Sequence, residues 1–136
     1  MYVIFGNQIV DSEEIKDIIK NNSDFTVETD MSKATKREDV VAYQLSISID
    51  TLKQYINEDF DVESIKEDLF DELMTIADEA AMELEEVMPE ESIINARAYK
   101  WDNSENAIKV IIAICNEDLG ELKLYDVTKR LLSQID

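Results

Sequence analysis

Residues 61–88 read DVESIKEDLFDELMTIADEAAMELEEVM. Apolar side chains recur at Val62, Ile65, Leu69, Leu73, Ile76, Ala80, Leu84 and Val87. The steps of three and four are the period of an α-helix. Phe70, Met74, Ala77, Ala81 and Met88 widen the stripe on one side. A stripe that wide suits a helix lying on a sheet better than a narrow coiled-coil seam. Asp61 is placed to cap the helix, its carboxylate accepting from free amides of the first turn. Pro89 ends the run, because proline disfavours α geometry at the residue before it. The spacing predicts one helix over about 61–88, roughly 40 Å long.

The other side of that helix is acidic almost without interruption. From Glu58 to Glu91 there are fifteen Asp/Glu and one basic residue, Lys66, so the segment holds −14 of the chain's net charge of −19. One row runs Glu63, Glu67, Asp71, Asp78; a second runs Asp68, Glu72, Glu79, Glu83, Glu86, Glu90. Like charges one turn apart cost about 0.2–0.5 kcal/mol per pair. Glu85 and Glu86 also face the negative end of the helix dipole. A face kept free of lysine against that cost is either a solvated surface or one that meets something positive. The second reading makes Glu63, Glu67, Asp68, Asp71, Glu72, Asp78, Glu79, Glu83 and Glu86 the candidate partner-binding residues.

The flanking sequence predicts the layers around this helix. Tyr2–Phe5 is a short apolar strand ending in a Gly6-Asn7 turn signal. Asp11 and Glu14 stand at capping-box spacing before a helix at about 12–20. Strands are expected at 25–29 and at 40–49, where strict alternation puts Val41, Tyr43, Leu45, Ile47 and Ile49 on one face and polar residues on the other. Asp50 can cap a short helix at 51–57. After Pro89 the period falls to two. Ile93, Asn95, Arg97, Tyr99 and Trp101 share one face of a strand, and Ile94, Ala96, Ala98 and Lys100 share the other. The run 107–115, AIKVIIAIC, is apolar on both faces apart from Lys109, as a central strand requires. Its small face (Ala107, Ala113, Cys115) offers a surface on which Ala77, Ala80 and Ala81 could dock. A third short strand at 121–125 and a terminal helix at 127–135 complete the reading. The expected class is α+β: a mainly antiparallel sheet of about five to six strands packed on one long helix, in a single domain spanning 1–136.

Composition narrows the chemistry. An isoelectric point near 4.1 opposes direct binding to nucleic acid or to an anionic membrane. No histidine is present, which removes the commonest general base and the Ser-His and Cys-His pairs. The single cysteine, Cys115, excludes an internal disulfide, and with Gly6 and Gly120 as the only glycines there is no phosphate-cradling loop. Asn57, Asp59 and Asp61 echo the start of a calcium loop, but Val62 stands where glycine is required. No catalytic residue, metal site or cofactor is therefore expected. Arg97, Tyr99 and Trp101 could form a binding patch on one strand face. Lys33, Lys36 and Arg37 form the one basic cluster, and a neighbouring subunit's acidic helix could pair with it. No apolar run is long enough to span a membrane and no leader is evident, so the expected location is cytoplasmic, the host cytoplasm if a phage encodes the chain.

The function expected is that of a non-enzymatic acidic binding protein. Its carboxylates would occupy a basic groove on a partner, most naturally a nucleic-acid-binding protein. Carboxylates one turn apart are about 5.4 Å from each other, comparable to phosphates along one DNA strand. In size, charge and composition the chain is similar to the acidic nucleic-acid mimics that phages make against restriction or CRISPR nucleases, although no motif carries the likeness. The alternatives are a homo-oligomeric structural or assembly protein, in which the charge serves solubility, and a small-ligand binding protein.

Overall fold

The computed structural model describes residues 1–59 and 69–135. In chain order these are β1 (Tyr2–Phe5), β2 (Gln8–Asp11), α1 (Ser12–Asn22), β3 (Thr26–Asp30), β4 (Val40–Ser48), α2 (Ile49–Asp59), α3 (Leu69–Met82), β5 (Ser92–Asp102), β6 (Ala107–Asn116) and α4 (Glu121–Gln134). The class is α+β, as the pattern predicts. Strands β3, β4, β6 and β5, in that order, make one antiparallel sheet, and β1 and β2 form a separate hairpin. Among the described residues, no helix is long and apolar enough to cross a membrane.

The centre of the sheet follows directly from composition. Every residue of β6 is buried, and it pairs with β4 from Val40↔Cys115 to Ser48↔Ala107. On one face Ile108, Val110, Ile112 and Ile114 meet Val41, Tyr43, Leu45 and Ile47 beneath Leu73, Ala77 and Ala81 of α3. Ile15 and Ile19 of α1 and Val3, Phe5 and Val10 of the hairpin close that core. The buried Tyr43 hydroxyl donates to the Ser12 carbonyl at 2.6 Å, so burying it strands no polar group. On the other face Val40, Ala42, Ile111, Ala113 and Cys115 lie under Leu124, Val127 and Leu131 of α4.

Several expectations are corrected. The alanines of α3 dock on the bulky isoleucine face of β6, not on its small face. The small face is taken by α4, whose leucines and valine supply the volume that Ala113 and Cys115 leave. In both layers large packs against small, which keeps the interior close-packed. The strand expected at 121–125 is the start of α4. Leu122 and Leu124 mimic period two, yet Leu122 is exposed, and the buried positions Leu124, Val127, Thr128 and Leu131 step as one helical face. With α4 in place, the face of β4 read as polar is largely covered, Gln44 remaining half-buried. Helix α2 begins at Ile49, and Ser48, not Asp50, caps it: Ser48 Oγ accepts from the Thr51 amide at 3.1 Å. The long helix does not stay α to its end. α3 stops at Met82 and the chain tightens into a 3₁₀ turn at Glu83–Val87, a common finish for a helix with orphan carbonyls to satisfy. The expected Asp61 cap, the beginning of that helix and the calcium-loop positions Asp61 and Val62 lie outside the described residues.

Candidate protein-binding surface

The packing of α3 decides which carboxylates are free. Leu73, Ala77 and Ala81 face the sheet, so the row one turn apart on the far side, Asp71, Thr75 and Glu79, is exposed. The 3₁₀ turn carries that row onward through the exposed Glu83, Glu85 and Glu86. Glu72 is half-buried on its flank. From Leu69 to Glu91 there are nine Asp/Glu and no Lys or Arg. Ion pairs among the described residues engage Asp11, Asp39, Glu28 and Glu105, and none of these lies in that segment. Of the expected site residues, Asp71, Glu79, Glu83 and Glu86 are thus brought onto one exposed surface. Glu63, Glu67 and Asp68 lie outside the described residues.

Asp78 has a different position. It is half-buried beside the edge strand β5 and accepts a hydrogen bond from the Ala98 amide. Burial raises its pKa above the ordinary aspartate value, against the lowering effects of that amide and of nearby Arg97. Its carboxylate therefore serves the sheet edge, where an open row of amides would otherwise face water.

The bulge that Asp78 supports also divides the expected aromatic patch. The β5–β6 register shifts between Ala98 and Lys100, leaving Tyr99 unpaired. A one-residue shift moves every later side chain to the opposite face. Arg97 and Tyr99 consequently lie on the α4 side. Arg97 sits over the Tyr125 ring at 5.2 Å, and the Tyr99 hydroxyl accepts from Gln44 Nε2 at 2.7 Å. Trp101 turns to the α3 side and stacks on Phe70, ring centroids 5.8 Å apart and 6° from parallel. The three residues do not form one patch.

The α4 side handles charge differently. Arg37 makes a two-point contact with Asp39, at 2.8 and 3.1 Å. Arg130 donates to the Thr35 carbonyl and ties α4 to the loop that carries Lys33 and Lys36. A second bulge, between Val27 and Thr29, projects Glu28 toward the sheet. Its carboxylate accepts from Ser46 Oγ at 2.7 Å and from Lys109 Nζ at 3.1 Å, and Lys109 also bonds Glu105. Lys109 is only 8% exposed. Burial opposes its charge, yet the bonds to Glu105 and Glu28 outweigh burial and raise its pKa. Sequence pattern marks Lys109 only as the odd residue in an apolar strand; its partners, Glu28 81 residues away and Glu105 in the preceding turn, complete the network. Cys115 is fully buried and its thiol is pushed up to about 12 by that burial, which leaves it unreactive at neutral pH.

Comparison with known protein families, characterised proteins and solved structures finds no match for this chain.

Proposed function

We propose that this chain is a non-enzymatic binding protein that presents the carboxylate surface of α3 and the turn after it to a basic groove on a partner protein. The supporting observation is the run of nine carboxylates without a single cation from Leu69 to Glu91, on which, among the described residues, only Asp78 is committed to an internal hydrogen bond. Unpaired carboxylates at helical spacing present a partner with negative charge at intervals resembling a nucleic-acid backbone. The natural partner is a nucleic-acid-binding protein, and the natural effect is inhibition by occupying its phosphate-binding groove. The likeness in size and charge to phage-made mimics favours an anti-restriction or anti-CRISPR role. A test is to immobilise the chain, capture such a partner at low salt, and compare wild type with a variant carrying Asp71→Asn, Glu79→Gln, Glu83→Gln and Glu86→Gln. Loss of rim charge should weaken association by at least about tenfold at low salt. Equal affinity of the two proteins would refute the reading.

A second reading, self-association, draws on the hairpin. Tyr2, Ile4 and Ile9 are 75%, 50% and 70% exposed, and Ile4 pairs directly with Ile9. They make an apolar outer face next to a buried inner one. Light scattering at increasing concentration tests it; a monomer throughout rules it out.

A further inference from the structure

A concave feature lies at the end of the acidic surface, where the chain leaves the 3₁₀ turn and enters β5. It is a groove of about 630 Å³ bounded by residues 82–92. Local geometry builds it. In a 3₁₀ turn side chains three apart eclipse, so Met82, Glu85 and Met88 fall in one row and Glu83 and Glu86 in the next. Pro89 then turns the chain, its carbonyl accepting from the Ser92 amide at 3.2 Å. The Glu91 carbonyl accepts from the Glu117 amide at 2.7 Å, which pins the far wall to the end of β6. Met82, Met88 and Pro89 make the apolar part, and five glutamates between Glu83 and Glu91 make the charged part. Among the described residues, no basic side chain lines it.

Ser92 sets this groove apart from a merely acidic surface. It lines the groove, is 7% exposed, and its hydroxyl has no hydrogen-bond partner among the described residues. A buried hydroxyl without a partner carries an uncompensated desolvation cost, and a ligand that draws it toward the groove and supplies a partner recovers that cost. The required ligand has three features: an aliphatic portion for the methionines and proline, positive charge for the glutamates, and an N–H group for Ser92. Arginine and lysine side chains combine all three. A small metal cation lacks the first and a quaternary ammonium the third.

We infer that this groove is the anchor point of the acidic surface, receiving an arginine or lysine side chain from a basic protein segment. The inference rests on the proposed function, narrowing it from a broad electrostatic face to a site with one inserted residue. Arginine fits best, because its planar fork can engage paired carboxylates while its stem packs against methionine.

The probe is a hexa-arginine peptide, added to isotope-labelled full-length chain at low salt and followed by NMR. The expected result is perturbation of the Met82 and Met88 methyls and the Ser92 amide, with affinity about 3–10-fold weaker in Ser92→Ala. Thermal unfolding of Ser92→Ala verifies that it is folded, and the methyl perturbations in wild type decide the site independently of that variant. Perturbation confined to Asp71 and Glu79, with the methyls unmoved, overturns the groove and leaves the acidic-face reading standing. No perturbation anywhere overturns both.

Discussion

α3, over its described residues Leu69–Met82, and α4 are laid on opposite faces of the same sheet. Their buried stripes are equivalent: Leu73, Ala77 and Ala81 on one, Leu124, Val127 and Leu131 on the other. Their outer faces are not. α4 carries Lys123, Lys129 and Arg130 against Glu121 and Asp126, whereas α3 carries Asp71, Glu72, Asp78 and Glu79 with no cation. The sheet dictates only the inner stripe, and α4 demonstrates that this fold accepts lysine and arginine on an outer helix face. The missing lysines of α3 are therefore not imposed by packing. Nor do they favour stability, since neighbouring like charges on a helix repel. A requirement outside the fold accounts for them more simply.

The largest effect should come from disturbing the balanced side. Lys109→Met keeps the buried stem but leaves Glu28 and Glu105 without their cation. Because both carboxylates retain water, the loss should be about 1–2 kcal/mol, below the penalty for breaking a fully buried pair. Chemical denaturation measures it. An unchanged midpoint would mean that charge pairing on the α4 side is incidental, and the contrast between the faces would weaken.

A smaller effect separates the two sides by pH. Hydrogen bonds from Ser46 and then Lys109 hold Glu28 below the usual glutamate value. Its contribution is present above about pH 4.5, the unfolded value, and is lost as pH falls through the depressed folded value. Asp78 has the opposite sign. Its folded pKa is raised, so its ionisation opposes folding as pH rises through that value. Asp78→Asn retains an acceptor for the Ala98 amide and removes the charge. It should be neutral or stabilising at pH 7, within about 0.5 kcal/mol, with the difference shrinking as pH falls toward 4. Thermal melts across that range decide it, and a variant less stable than wild type at pH 7 would contradict the burial argument.

A comparably small effect on stability gives the sharpest comparison. Thr75→Lys gives α3 the kind of residue that α4 already has, one turn from both Asp71 and Glu79. It should stabilise by about 0.3–0.8 kcal/mol through helix propensity and charge pairing. It should also weaken partner binding. A substitution that improves the fold and harms association would separate the two requirements; one that leaves binding intact would argue that this face only keeps the protein in solution.

Much of the architecture is legible in the sequence because it depends on local period. The strict alternation of β4, the two-sided apolar run of β6 and the wide stripe of α3 each need a single physical fit, to sheet or to helix. The errors arise where a tertiary contact overrides local pattern. The Tyr99 bulge interrupts register without interrupting alternation, so nothing in 93–101 announces that Trp101 changes sides. The segment ELKLY at 121–125 alternates like a strand, but only Leu124 finds a buried place. The acidic surface is visible as composition, whereas the groove at its end is not. That groove needs the 3₁₀ turn, the Pro89 reversal and a seryl hydroxyl left without a partner. Asp78 falls in the same row as Asp71 by spacing, and only the edge of β5 shows why it is withdrawn.

The most direct test of the central claim is the salt dependence of affinity for the captured partner, measured with and without duplex DNA as competitor. Binding through the carboxylate surface predicts affinity falling steeply as salt rises, and exclusion of the chain by DNA from the shared groove. Affinity that stays flat from low to high salt, or simultaneous binding of the chain and DNA to one partner, would contradict it.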